Sequence, residues 1–332
     1  MHPELLRLPF TTLTVKSYGL MMVIGFLAAV WVIRHLSRNI TPDPQMITNC
    51  SLYALVAGVV GARIFYIIHY FDRYKTDLLA VFAVWEGGLE LLGGVLAAIA
   101  VIILYLRHHK LPTRQYLDIL AIGLMLALVF GRIGCFLNGC CFGKPTNLPW
   151  AVRFPYGSHA YRSQIEAAPD RNRSQPQLQL PQDYFGYIDE TNKFDADLKP
   201  FSQLSPQQQE AVTKGPYRCL PVHPTQLYSS AKAAAICLIL FLFWRRAQKA
   251  KREKKNILFA GPGSTFALMF ILYGIARYFM EFLRDDNPFE FAWWTIYRGG
   301  TISQNISIYM VIFGVILMFI FQKLPAKNNR VK

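Results

Sequence analysis

The chain has 332 residues, 53% of them hydrophobic, and its 35 Lys and Arg against 20 Asp and Glu give a formal net charge of +15 at pH 7. Several apolar runs are long enough to cross a bilayer, which excludes a soluble globular fold and indicates a polytopic membrane protein. The basic residues lie largely between these runs, where they set membrane orientation and meet anionic lipid. The charge therefore does not indicate nucleic acid as a partner.

The apolar runs predict an all-α fold with about seven transmembrane helices. In chain order they cover residues 17–33, 50–68, 88–106, 116–137, 225–244, 261–282 and 302–321. The first run ends at Arg34 without a small-residue cleavage site, so we interpret it as a retained helix and not as a signal peptide. We expect residues 1–332 to form a single transmembrane domain.

Most Lys and Arg of the short connections follow the first, third, fifth and last runs. Because basic connections stay in the cytoplasm, we expect the N-terminus outside and the C-terminus inside. The connection formed by residues 144–221 is rich in Pro, Gln, Asp and Asn and contains no run that could span a bilayer. We expect it to be a large extracytoplasmic insertion loop, partly folded and partly mobile.

Residues 131–143 read Gly-Arg-Ile-Gly-Cys-Phe-Leu-Asn-Gly-Cys-Cys-Phe-Gly and interrupt the end of the fourth apolar run. A guanidinium at membrane depth should face protein or a water-filled cavity, because hydrocarbon does not solvate it. Arg132 could be a snorkelling anchor or part of an interhelical pair, but the surrounding glycines permit a ligand to approach the backbone closely. The segment therefore predicts a functional site.

Arg277, Glu281 and Arg284 recur at spacings of four and three, which predicts that they share one face of the sixth helix. A structural ion-pair ladder is the alternative interpretation. A buried arginine that is oriented by a glutamate can instead hold a phosphate through charge-assisted hydrogen bonds. The pattern favours an anionic headgroup as the ligand.

The second and third runs carry further candidates. Glu86 lies in Trp-Glu-Gly-Gly at the mouth of the third helix, and Gly93-Gly94 inside that helix is typical of small-residue helix packing. Arg63 lies within the second run, where a guanidinium requires a partner.

Two motifs mark the beginnings of helices. Tyr18 starts the first run, where an aromatic-belt role is the alternative to a functional one. Residues 223–228, His-Pro-Thr-Gln-Leu-Tyr, precede or begin the fifth run, and their Pro and Thr are typical of a helix cap.

Cys135, Cys140, Cys141 and Cys219 fall on the predicted outer side, where disulfides can form. We expect a disulfide, for instance between Cys219 and one of the other three. A zinc site is the weaker interpretation, because the spacing does not match a CxxC pair.

Together these motifs resemble the bacterial prolipoprotein diacylglyceryl transferase family, and they cover nearly the whole chain except residues 144–221. The matching segments fall in the family's order: Tyr18-Gly19-Leu20, Gly61-Ala62-Arg63, Trp85-Glu86-Gly87-Gly88, Gly93-Gly94, Gly131-Arg132-Ile133-Gly134 with Phe136, Asn138-Gly139 and Gly143, His223 to Tyr228, Tyr273-Gly274 with Arg277, Glu281 and Arg284, and Ser303-Gln304.

The resemblance implies an enzyme of the bacterial cytoplasmic (inner) membrane that uses no metal or other cofactor. It would move the diacylglyceryl group of phosphatidylglycerol to the lipobox cysteine of a prolipoprotein signal peptide, forming a thioether and releasing glycerol phosphate. The implied catalytic residues are Arg132, Arg277, Glu281 and Tyr18. The implied substrate-binding residues are Asn138, Gly139, Gly143, Arg63, Glu86, Gly93, Gly94, His223, Gln226, Tyr228 and Arg284.

Three positions depart from the family, which commonly has His where this chain has Leu92, Asn where it has Cys135 and Glu where it has Cys140. Leu92 cannot accept a proton, so the base must be another group, such as Glu86, Tyr18 or a phosphate oxygen of the lipid. Two other functions stay open. One is a membrane thiol–disulfide protein that uses Cys140 and Cys141, and the other is a non-catalytic relative that binds lipid or lipoproteins.

Overall fold

The computed structural model describes residues 4–7, 14–40, 43–74, 81, 88, 90–188, 194–253, 255, 258–287 and 294–324. Glu86, one of the predicted binding residues, lies outside this part of the chain. Within it the helices are α1 (Ser17–Ser37), α2 (Gln45–His69), α3 (Leu91–His108), α4 (Thr113–Asn138), α5 (His159–Ile165), α6 (Pro206–Thr213), α7 (Thr225–Arg252), α8 (Ser264–Glu281) and α9 (Ile302–Lys323). The strands form two antiparallel pairs, β1 (Glu4–Arg7) with β2 (Thr14–Lys16) and β3 (Phe185–Ile188) with β4 (Phe194–Leu198).

Seven long helices, α1 to α4 and α7 to α9, lie at the positions of the seven predicted spans. Five of the described helices, α1, α2, α4, α7 and α9, are long and apolar enough to cross a membrane. The apolar segment Leu92–His108 of α3 is shorter, and α8 carries Arg277 and Glu281. The prediction of an all-α polytopic membrane protein is confirmed.

The chain divides into two compact units. The first comprises Met1–Phe26, Met125–Ile239 and Ala267–Ile316, and the second comprises Leu27–Leu124, Leu240–Phe266 and Leu317–Lys332. The expectation of one functional domain over residues 1–332 stays a prediction.

In the second unit, α2 packs closely on α3 through glycines. A Cβ atom at Gly61 would lie 2.7 Å from the carbonyl oxygen of Gly93, and one at Gly93 would lie 2.4 Å from Cβ of Phe65. A Cβ at Gly94 would lie 2.8 Å from the carbonyl oxygen of Gly58. No side chain fits at these distances, so the small-residue packing expected for Gly93 and Gly94 is confirmed.

Arg63 of α2 is buried and has the partners that its position requires. Its Nε donates a hydrogen bond to the carbonyl oxygen of Val81 at 2.9 Å, and its Nη1 donates to that of Gly88 at 3.1 Å. The guanidinium also lies 5.9 Å from the ring centroid of Tyr66 and 5.4 Å from that of Tyr74. These contacts compensate the burial of its charge and hold residues near the start of α3 against α2.

Asp118 of α4 caps the beginning of α8. It is buried, and its carboxylate accepts hydrogen bonds from the backbone N–H groups of Gly263 at 2.8 Å and Phe266 at 3.0 Å. Replacing Asp118 with Ala should lower the free energy of unfolding by about 1–3 kcal/mol, because two donors at a helix N-terminus lose their acceptor. Denaturant unfolding in detergent measures this loss.

Asp43→Ala is the matched control for that variant. Asp43 accepts from the backbone N–H of Gln45 at 2.9 Å in an exposed position, where water can replace the carboxylate. Equal losses of stability in Asp118→Ala and Asp43→Ala would contradict the capping role of Asp118.

The insertion, residues 144–221 in the first unit, packs around a hydrophobic core of its own. Ser158 caps α5 by accepting from the backbone N–H of Tyr161, and Ser205 forms a capping box with Gln208 at α6. The buried residues of this core and its margins are Phe142, Phe154, Ala160, Tyr161, Leu178, Tyr184, Leu198, Leu204, Val212, Cys219 and Val222. The described part of the insertion is therefore folded more completely than its polar composition indicated, because apolar side chains spaced along it bury one another.

Candidate active site

The segment after α4 turns sharply and is held between two other parts of the first unit. Gly139 and Cys141 have left-handed backbone conformations, with φ of +77° and +58°. The N–H of Gly143 donates to the carbonyl oxygen of His223 at 3.2 Å, and that of Lys144 donates to Leu283 at 2.9 Å. A Cβ at Gly143 would lie 2.6 Å from Cβ of His223, so only glycine fits there.

The beginning of α7 fixes the same segment through two buried side chains. The hydroxyl of Thr225 donates to the carbonyl oxygen of Cys141, and Nε2 of Gln226 donates to that of Cys140, both at 2.7 Å. The Oε1 of Gln226 is buried and has no partner within the described residues. The His-Pro-Thr-Gln-Leu-Tyr motif thus begins a helix, as predicted, and also positions the chain of residues 139–143.

Arg132 of α4 is half-buried and makes no hydrogen bond or ion pair within the part of the chain that the structure describes. Tyr18, at the start of α1, lies within electrostatic range of Arg132 and of the thiols that follow it. The Tyr18 side chain packs over Gly134, where a Cβ would lie 3.1 Å from its ring. A guanidinium at membrane depth without an anionic partner is available to a ligand.

Arg277 of α8 forms an ion pair with Glu281, one turn later on the same helix. The side chain of Glu281 is 2% exposed. Its Oε1 also accepts from Nδ2 of Asn287 at 2.6 Å and from the hydroxyl of Thr301 at 2.7 Å. With three donors, this carboxylate is suited to orienting Arg277.

The position of Arg284 differs from the prediction. The helix α8 ends at Glu281, so Arg284 lies beyond it. Its guanidinium pairs with Asp286 at 2.8 and 2.5 Å. Burial alone would lower the pKa of Arg284, but the hydrogen bonds to Asp286 raise it. The expectation that Arg284 continues one helical face with Arg277 and Glu281 is wrong, and its charge is balanced locally.

Lys232 of α7 is a site residue that the sequence analysis missed. Its Nζ lies 4.9 Å from the ring centroid of Tyr273. It also lies within electrostatic range of Arg132, Arg277, Arg284 and Glu281. The available signal was a lysine inside an apolar run, since ionisable groups at membrane depth commonly mark functional sites.

The charges in this cluster are unequal. Arg132, Arg277 and Arg284 contribute cations, whereas Glu281 and Asp286 contribute the carboxylates that pair with Arg277 and Arg284. The excess is positive and lies in a poorly solvated part of the molecule, so the cluster can bind an anion strongly.

All six cysteines are free. The expected disulfide between Cys219 and the segment after α4 is not formed, because Cys219 is free and lies in the core of the insertion. Burial there raises the pKa of its thiol. The Sγ atoms of Cys135, Cys140 and Cys141 all lie within 4.8 Å of one another. The thiol of Cys140 donates a hydrogen bond to the carbonyl oxygen of Cys135 at 3.7 Å, and Asn138 is the last residue of α4.

The remaining candidates have other surroundings. Tyr228 accepts a hydrogen bond from Nε1 of Trp150 in the insertion at 2.6 Å. The ring of His223 lies 6.1 Å from that of Tyr228, and its Nδ1 has no partner within the described residues. Arg63, Gly93 and Gly94 belong to the second unit.

The fold and this cluster define a polytopic membrane protein whose charged side chains converge beside three thiols. The family model for prolipoprotein diacylglyceryl transferase matches residues 3–320, so the chain belongs to that family.

Several curated relatives have the name phosphatidylglycerol–prolipoprotein diacylglyceryl transferase. The one from Burkholderia orbicola (strain MC0-3) is 29% identical over 325 residues, which cover 95% of this chain and 93% of the relative. That of Buchnera aphidicola subsp. Acyrthosiphon pisum (strain Tuc7) is 29% identical over 96% of both chains. That of Rhodopirellula baltica is 23% identical over 92% of this chain and 72% of the relative.

Proposed function

We propose that this protein transfers the diacylglyceryl group of phosphatidylglycerol to the thiol of the lipobox cysteine in a prolipoprotein signal peptide. The reaction forms a thioether and releases glycerol phosphate. Membership of the family over residues 3–320 supports the reaction. The observation that carries the proposal to this chain's own site is the guanidinium of Arg132, which has no partner within the described residues and lies near Lys232.

The chemistry of the leaving group explains why cations are needed. When the bond between the glycerol carbon and the phosphate oxygen breaks, negative charge accumulates on the phosphate. Arg132 and Arg277 act as catalytic residues by holding that charge, and they gain strength from a site with little water. Lys232 lies within electrostatic range of both arginines.

Other side chains of the first unit position these cations and the lipid. Glu281 orients Arg277, and Tyr18 and Asn138 contact the lipid. Gln226 offers its Oε1, which has no partner within the described part of the chain, to a donor on the headgroup, such as a glycerol hydroxyl. Gly139 and Gly143 let the backbone approach the ligand, and His223, Tyr228 and Arg284 hold the surrounding segments.

Arg63, Gly93 and Gly94, together with Glu86, keep their substrate-binding assignment from the family resemblance alone. For Gly93 and Gly94, the packing of α2 on α3 is by itself a sufficient explanation.

The protein acts in the bacterial cytoplasmic membrane as a single domain, with its N-terminus outside and its C-terminus in the cytoplasm. The distribution of Lys and Arg between the helices supports this orientation. The insertion then lies on the outer side, where the lipobox of an exported prolipoprotein is accessible.

The direct test is a transfer assay with membranes that contain the full-length protein. Label in the diacylglyceryl group of phosphatidylglycerol should move to a peptide that carries a lipobox cysteine, because the thiol is the acceptor. A peptide with Ser in place of that cysteine should receive none. Absence of transfer by correctly inserted protein would refute the proposed reaction.

The same assay separates the two alternatives. A thiol–disulfide protein has one observation in its favour, the proximity of the three sulfur atoms, and predicts redox-dependent labelling of Cys140 and Cys141 without lipid transfer. A non-catalytic relative, suggested by Leu92, predicts binding of phosphatidylglycerol without transfer.

A further inference from the structure

Three sulfur atoms converge beside the anion site. Cys135 lies in the last turn of α4, and Cys140 and Cys141 follow the helix end, yet their Sγ atoms are all within 4.8 Å of one another. Thiolates bound to one zinc ion at about 2.3 Å lie about 3.8 Å apart in a tetrahedral site. Small side-chain rotations therefore suffice to bring the three sulfurs around a common ion.

The backbone that carries these cysteines is preorganised. The left-handed conformations of Gly139 and Cys141 turn the chain back toward α4. Hydrogen bonds from Thr225 and Gln226 then fix the carbonyl groups of Cys141 and Cys140 at 2.7 Å. A donor set that is held before the ion arrives binds it with less loss of conformational freedom.

The surrounding charges suit an anionic metal–thiolate group. Three thiolates and one divalent ion have a net charge of −1. Arg132 and Arg284 lie within electrostatic range of Cys141 and stabilise negative charge there. A divalent ion bound only by neutral ligands, such as carbonyl groups, would keep its positive charge and be repelled by the same arginines. The arginines therefore favour thiolate ligands.

We propose that Cys135, Cys140 and Cys141 bind Zn²⁺ or another thiophilic divalent ion, and that the open fourth position receives the acceptor thiol of the prolipoprotein. This rests on the proposed transfer reaction and departs from the metal-free site that the family resemblance implies. The spacing of the cysteines did not indicate a metal, because the CxxC rule describes a different loop from the turn at residues 139–141.

Coordination of the acceptor thiol to the ion explains how this chain can work without the family's histidine, which Leu92 replaces. On coordination the acceptor thiol loses its proton to solvent, and its sulfur becomes a thiolate nucleophile. This sulfur attacks the glycerol carbon that carries the phosphate, and a C–S bond forms as the C–O bond breaks. The electron pair of that bond leaves with glycerol phosphate beside Arg132 and Arg277. The thioether product carries no charge and is a weaker ligand, so it is released.

Cobalt substitution of the full-length protein, purified in detergent with a reductant, tests the metal site without measuring activity. One Co²⁺ per chain should produce thiolate-to-cobalt charge-transfer absorption, and one Zn²⁺ per chain should displace it. Cys140→Ser should abolish the absorption, and Cys140→His, which keeps a ligand, should shift it. Cys237→Ser is the control, because Cys237 is a free cysteine on α7 and is not one of the three proposed ligands.

Three outcomes of that experiment would overturn the metal site: no charge-transfer absorption, the same absorption in Cys140→Ser, or equal loss in Cys237→Ser. Recovery of Cys140 and Cys141 as a disulfide that resists the reductant would also overturn it, in favour of a redox role.

The transfer assay on metal-stripped and zinc-restored protein then tests the role of the ion. Stripping should lower transfer by about 10–30-fold, because only a few per cent of a free thiol is ionised at neutral pH, and Zn²⁺ should restore it. Unchanged transfer after stripping would overturn the inference and leave the proposed reaction intact. Metal binding without transfer in either state would refute the reaction and, with it, the role of the ion as activator of the acceptor thiol.

Discussion

Replacing Arg277 with Ala should lower the rate of diacylglyceryl transfer by about 10²–10³-fold, the loss typical of removing one group that stabilises charge in a transition state. The protein should still insert into the membrane. Arg277→Lys should retain part of the activity, because a lysine keeps the charge but not the planar guanidinium that holds two oxygens at once. The rate of label transfer to a lipobox peptide, at equal amounts of inserted protein, measures both variants.

The chain offers a matched control for this prediction. Lys249, in the last turn of α7, and Glu253, just after its end, form a pair with the same spacing of four residues, but the lysine side chain is 79% exposed. Lys249→Ala should leave transfer unchanged, because water and salt already screen that pair. Normal transfer by Arg277→Ala would show that Arg277 is not a catalytic residue.

Replacing Glu281 with Ala should lower the free energy of unfolding by about 3–5 kcal/mol, because it leaves the buried guanidinium of Arg277 without a counter-charge. The hydroxyl of Thr301 and the amide of Asn287 lose the same acceptor. Glu281→Gln should cost less, since its amide oxygen still accepts a hydrogen bond. The unfolding midpoint in detergent, with denaturant, measures the difference between the variants.

Glu253→Ala is the corresponding control. It removes the carboxylate of the exposed pair, and we expect a loss of about 0–1 kcal/mol. A loss for Glu281→Ala no larger than that of the control would contradict the central structural role assigned to this carboxylate.

Some contacts of the site follow from short-range sequence signals. Thr301 and Gln304, three residues apart, are typical of a capping box, and they exchange hydrogen bonds at the start of α9. Arg63 needed partners because of its position within an apolar run, and the structure provides them. In each case the signal is local, or follows from the solvation of a single group.

The position of Arg284 could not be derived in that way. Its spacing from Glu281 continues the helical pattern, yet α8 ends at Glu281. The chain beyond the helix is held by long-range contacts, such as the hydrogen bond from Lys144 to Leu283 and the ion pair between Arg173 and Asp285 at 3.0 Å. Periodicity contains no information about partners more than a hundred residues away.

The class of protein, the positions of the long helices and the family follow from the amino-acid sequence, because a bilayer demands long apolar segments and the motifs occur in the family's order. The proximity of Lys232 to the arginines and the convergence of Cys135, Cys140 and Cys141 do not follow from the sequence and are visible only in the folded chain. Both depend on packing between segments far apart in the chain, and the convergence depends further on the left-handed turn at Gly139 and Cys141, which residues of α7 hold in place.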